Sequence, residues 1–97
     1  MIIRIVKMTF EPQKVNDFLI IFNESKQHIR NMDGCSHLEL LNDINSPDVY
    51  FTYSYWESET DLDNYRNSEL FINVWTKTKA LFSAKAEAWS VEQKAVL

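Results

Sequence analysis

Ninety-seven residues, 45% hydrophobic and 25% charged, fit a single soluble domain over residues 1–97, small enough that association with another chain is a common way to bury more surface. Fourteen acidic against ten basic residues leave a net charge of -4, and the bases are scattered, which excludes nucleic acid as the expected partner. One cysteine, Cys35, allows no intrachain disulfide and no multi-cysteine metal knuckle; it fits a cytoplasmic, reducing setting, and no run approaches a signal-peptide core or the roughly 20 apolar residues of a membrane span.

Residues 2–10 are β-branched and partly alternating, with Ile3 and Ile5 on one side and Val6, Met8 and Phe10 on the other. They read as a first strand covered on both faces. Pro12 stops it and suits the first turn of a helix. After it Val15, Phe18, Leu19, Phe22, Ser25 and Ile29 recur at helical spacing, and Asp33 with Gly34 ends the helix through a left-handed exit. Residues 35–41 form a second strand with Cys35, His37, Glu39 and Leu41 expected on one face and Ser36, Leu38 and Leu40 on the other. A turn-rich loop over 42–48 joins it, as a hairpin, to a third strand over 50–56, Tyr-Phe-Thr-Tyr-Ser-Tyr-Trp. Phe51, Tyr53 and Tyr55 share one face of that strand, and Tyr50, Thr52, Ser54 and Trp56 the other.

Ser58 followed by Glu59 and Asp61 is a helix cap with first-turn acids. Asn67 and Ser68 interrupt that helix, and Ser68 caps another carrying Phe71, Val74, Trp75 and Thr78. Residues 86–91, with Trp89, suit a short last strand. The order β-α-β-β-α-β predicts an α+β, ferredoxin-like fold: a four-stranded antiparallel sheet with the helices on one face. Large side chains on both faces of the first and third strands predict that the uncovered face packs on a second copy.

Ile3, Ile5 and Val6, the Asp33-Gly34-Cys35 start of the second strand, Glu39-Leu40, Tyr53-Ser54-Tyr55-Trp56-Glu57-Ser58 and Tyr65-Arg66-Asn67-Ser68-Glu69-Leu70-Phe71 resemble the antibiotic biosynthesis monooxygenase domain over nearly the whole chain. The resemblance implies a dimeric α+β barrel with a pocket between sheet and helices in each subunit. It also implies cofactor-independent oxidation of a quinol or polycyclic phenol by dioxygen, in which the substrate anion itself reduces oxygen. Haem-degrading relatives place a histidine on the second helical segment and a tryptophan before it. Here Trp75 and Tyr65 stand in those positions, so no haem, flavin or metal is expected, because an indole N–H donates and does not ligate iron. Histidines that recur near the helix junction in quinol-oxidising relatives are also missing.

Tyr53, Trp56, Tyr65 and Trp75 are the expected substrate-binding residues. His37 and Tyr65 are the expected catalytic ones, through hydrogen bonding or proton transfer to a phenolic oxygen. Arg4, a cation on a central strand, is a candidate for holding a substrate anion. His28 falls at the border of its helical stripe, and Cys35 reads as a small apolar core residue. Two functions fit: a cofactor-free monooxygenase of a small aromatic substrate, or a non-catalytic dimeric domain that binds small molecules or serves in stress.

Overall fold

A computed structural model describes residues 1–97. Its sheet comprises β1 (Ile2–Thr9), β2 (Cys35–Asn42), β3 (Val49–Trp56) and β4 (Glu87–Glu92), all antiparallel in the order β2-β3-β1-β4. The strands richest in β-branched and aromatic side chains, β1 and β3, occupy the centre, where both edges are paired with neighbouring strands. A short 3-10 turn, Pro12–Lys14, precedes α1 (Val15–Arg30), and α2 (Glu59–Arg66) and α3 (Glu69–Lys79) follow β3. No helix is long and apolar enough to cross a membrane.

The element order matches the ferredoxin-like expectation, with differences at the ends. The first strand stops at Thr9, and Phe10 instead makes an isolated bridge to Phe82. The last strand begins at Glu87 rather than residue 86. Both expected caps form: Ser58 Oγ accepts from the Asp61 N–H and Ser68 Oγ from the Phe71 N–H, each at 3.1 Å. Helix α1, however, ends at Arg30, and Gly34 takes its positive φ of 81° at the corner that starts β2. Its carbonyl accepts from the Glu57 N–H at 2.8 Å, and a Cβ there would run into the Asp61 side chain. Only glycine combines that backbone angle with so close an approach.

Cys35 and His37, expected on one face of β2, lie on opposite faces. A register shift between Cys35 and His37 sets Cys35 opposite Trp56 and His37 opposite Tyr55, and successive β3 residues point to opposite faces. Cys35 therefore joins Trp56 on the helix side while His37, Glu39 and Leu41 share the far side with Tyr55, Tyr53 and Phe51. Strict alternation failed because the bulge adds a residue to one strand.

The helix-side core has two parts. Met8, Phe10 and Phe18 anchor one, with Phe22, Tyr50, Trp75 and Phe82 packed around them. Cys35, Trp56 and Leu62 anchor the other, with Ile2, Met32 and Tyr65. Gly34→Ala should destabilise the fold by roughly 1–3 kcal/mol, the cost of a strained residue that the surroundings cannot relieve; a lowered urea midpoint at unchanged slope would report it.

Candidate functional site

Between the two core clusters lies a cavity of about 300 Å³. Its floor is the helix-side face of the sheet, including Arg4, Val6 and Met8 of β1 and Thr52, Ser54 and Trp56 of β3. Its cover is Phe18, Phe22 and Ile29 of α1, Tyr65 and Arg66 of α2, and Phe71, Val74 and Trp75 of α3. The space follows from two features. The break at Asn67 and Ser68 divides the cover into two short helices that do not pack evenly, and β4 contributes only Ala88, beside Ala86 just before it. Small side chains opposite large ones leave a concave, mostly apolar hollow.

Trp56 is 0% exposed, and its indole N–H donates to Ser54 Oγ at 3.0 Å. That bond satisfies the only polar group of the ring, so Trp56 offers no donor and, being fully buried, backs the cavity wall rather than exposing a face to it. Tyr65 stacks on it, ring centroids 4.9 Å apart and 19° from parallel, and meets Phe71 edge-on at 5.2 Å. Phe71 in turn stacks on Trp75 at 5.8 Å. A continuous aromatic wall thus runs from the end of β3 across the helix break.

Burial raises the pKa of the Tyr65 phenol, with the neighbouring Cys35 adding to it. Tyr65 therefore stays protonated at neutral pH and acts as a hydrogen-bond donor rather than a base. Neither its hydroxyl nor the Trp75 N–H hydrogen-bonds within the protein, and no buried side-chain nitrogen or oxygen is without a partner; both groups thus remain accessible. Burial also pushes the Cys35 thiol up, in keeping with a core residue rather than a nucleophile.

Of the residues expected at the site, the structure brings Trp56, Tyr65 and Trp75 together and leaves His37 and Tyr53 apart. His37 lies on the far face of the sheet, its Nε2 2.6 Å from Glu39 Oε2 and its ring 4.8 Å from that of Tyr55. Tyr53 lies beside it on the same face, 5.5 Å from Tyr55; hydrogen bonding to Tyr55 raises its pKa. The four-stranded sheet separates both from the cavity. His28 is exposed on α1, so no histidine lines the hollow, and no three His, Cys, Asp or Glu side chains cluster as metal ligands.

Arg4 does line the cavity, with Nη1 donating to Ser90 Oγ at 3.0 Å. Arg66 lines it too and was not singled out from sequence. Its place as the last residue of α2, just before the break, was the available signal, but a basic last turn is also ordinary helix chemistry.

The sequence model of the antibiotic biosynthesis monooxygenase family matches residues 1–75, a span that ends within α3 and leaves β4 outside. Many solved structures share the fold. A protein described as antibiotic biosynthesis monooxygenase superimposes with a TM-score of 0.92 at 17% identity, covering 98% of this chain and 100% of the other. A conserved protein from Methanosarcina mazei Go1 does so at 0.90 and 20%, covering 97% and 94%. Rv0793 from Mycobacterium tuberculosis gives 0.90 and 15%, covering 98% and 96%. At such identities the likeness carries the fold alone. No curated protein sequence matches the chain.

The Tyr65 environment sets a pH dependence. Below the ordinary tyrosine pKa of about 10 the phenol is protonated in both states and adds no pH dependence to stability. Above it the unfolded chain releases the proton first, so stability falls as pH rises. Denaturant melts between about pH 9 and 11 should show a shallower alkaline loss in Tyr65→Phe than in the unaltered protein.

Proposed function

The chain belongs to the antibiotic biosynthesis monooxygenase family, and from that membership we propose that it is a cofactor-independent monooxygenase of a quinol or polycyclic phenol. The observation that carries the reading is an aromatic-walled cavity lined by Tyr65, whose phenol is neutral, and Trp75, two residues whose O–H and N–H are unpaired within the protein. A flat substrate would lie against Tyr65 and Trp75, with Trp56 supporting the Tyr65 ring from behind, and its phenolic oxygen would be hydrogen-bonded by Tyr65. In the overall reaction the phenol and dioxygen give a quinone and water. The substrate supplies all the electrons, one oxygen atom enters a ring carbon, and the other leaves as water. The protein's share is to hold the substrate anion, exclude water and fix where oxygen attacks. His37 and Tyr53 have no direct part in this reading, since they lie across the sheet.

A second reading, a domain that binds small molecules without turnover, draws on the cavity lining, which includes no aspartate, glutamate or histidine to take a proton. An oxygen-electrode screen with hydroquinones and polycyclic phenols, against heat-denatured protein, separates the two. The monooxygenase predicts oxygen uptake that falls about 2- to 100-fold in Tyr65→Phe, the range for one lost hydrogen bond, and is unchanged in His37→Ala. Ligand binding with no uptake for any substrate would favour the second reading.

We also propose that the protein works as a cytoplasmic homodimer joined through its uncovered sheet face. That face carries Ile5, Phe51, Tyr53, Tyr55, Trp89 and Val91 in register, with Trp89 44% exposed. An apolar surface of this kind fits a second copy of the same sheet. Sedimentation at micromolar concentration should find a dimer, and Phe51→Glu should lower association and melting temperature together. A monomer would overturn the assembly while leaving the cavity chemistry open to its own test.

A further inference from the structure

Arg4 and Arg66 are the only charged residues that line the cavity. Neither pairs with a carboxylate: every ion pair in the molecule is made by Lys7, Lys14, His37 or Lys94. The titratable groups facing the hollow come from β1 and α2 alone, as Arg4, Tyr65 and Arg66, and none comes from α1, α3 or the other three strands. Two guanidiniums are thus set beside an apolar chamber with no acid to neutralise them. They are close enough for Arg66 to depress the Arg4 pKa, after the larger effect of Arg4's own burial. Two like charges at a partly desolvated site favour an anion between them.

Arg4 is also held in place. It sits mid-strand in β1, opposite Ser54 on one side and Ser90 on the other, and the bond to Ser90 ties its head group to β4. That bond uses one of the five guanidinium donors and leaves the rest for a ligand. Arg66, exposed at the end of α2, supplies a second cation from the cover side.

We propose that the cavity takes its aromatic ligand as an anion, with the oxyanion held between Arg4 and Arg66 and the rings against the Trp56–Tyr65–Trp75 wall. The inference rests on the reading of the cavity as the ligand site and narrows the substrate to flat molecules bearing a carboxylate or an ionised phenol. It also accounts for a chamber without a base. An acidic hydroxyl placed against two cations loses its proton to water more readily, so no residue has to remove it.

Binding of three fluorescent probes tests this: naphthoate, naphthol, and naphthalenemethanol as the neutral isostere. Naphthoate should bind about ten- to a hundredfold more tightly than naphthalenemethanol, the ratio that charge-assisted hydrogen bonds supply. Arg66→Gln should remove most of that preference, with a much smaller loss of affinity for the neutral probe; because Arg66 is exposed, the variant is expected to fold. Arg4→Gln should do the same, with Arg4→Lys restoring part of it. Bound naphthol should ionise at lower pH than in water if a phenolate is the natural anion; an unchanged ionisation beside a strong naphthoate preference would assign the site to carboxylates. Equal affinity for naphthoate and naphthalenemethanol, a preference that survives Arg66→Gln, or no binding of any probe overturns the inference. Oxygen uptake with neutral hydroquinones that is indifferent to both arginines would do so too, while leaving the monooxygenase reading standing. Anion-selective binding without oxygen uptake would have the opposite effect.

Discussion

Trp56 is the side chain on which the rest of the helix-side architecture depends. It ends β3, is fully buried, and has its single polar atom satisfied by the serine two residues earlier. With that group paired, the ring is a large apolar plate, of the kind whose truncation typically costs about 3–5 kcal/mol. Cys35 at the start of β2 and Leu62 of α2 pack against it, and Tyr65 stacks on its face. The plate thus fixes where α2 crosses the sheet. After α2 the helix breaks, and α3 goes on to pack against α1. Ser68 marks the break, donating to the Tyr65 carbonyl at 2.6 Å while capping α3, so one hydroxyl both closes one helix and opens the next. The cavity is the space that this change of direction leaves between the two halves of the core.

The same sheet serves two environments. Its helix side is part core and part cavity wall, and its far side carries aromatics together with two exposed polar pairs, the Lys7–Glu87 ion pair and the His37–Glu39 hydrogen bond. Exposed pairs of this kind contribute little stability. Their effect is to interrupt an otherwise apolar surface at its margins, a pattern that suits a face meeting its own copy, where unmatched charges would penalise a misaligned partner.

Electrostatics gives the cavity its chemical character. Its acid-base inventory is one phenol kept neutral by burial and two permanent cations. That inventory stabilises negative charge and does not create it by proton abstraction. Among folds that superimpose on this one at 15–20% identity, the arrangement of helices over sheet persists while most side chains differ. The chemistry of this chain therefore has to be read from its own lining residues.

The element order, the caps at Ser58 and Ser68, the central place of β1 and β3 and the two-sided apolar pattern were all legible in the sequence, because each depends on local signals: alternation, cap residues and turn chemistry. The aromatic wall was also foreseeable, since Trp56 lies at a strand end and Tyr65 and Trp75 flank a visible helix break. What the sequence could not supply was the side of the sheet on which His37 and Tyr53 fall relative to the cavity. For His37 a single bulge residue decides it, by moving Cys35 inward and His37 outward. For Tyr53, alternation gave the face shared with Phe51 and Tyr55, but only the placement of the helices showed that this is the face without a pocket. That Arg66 lines the same cavity as Arg4 became visible only in the fold, because sixty-odd residues of chain separate them and no local pattern links a mid-strand arginine to one at a helix end. Local propensity determines which elements form; bulges, helix placement and the meeting of distant side chains determine which face holds the site.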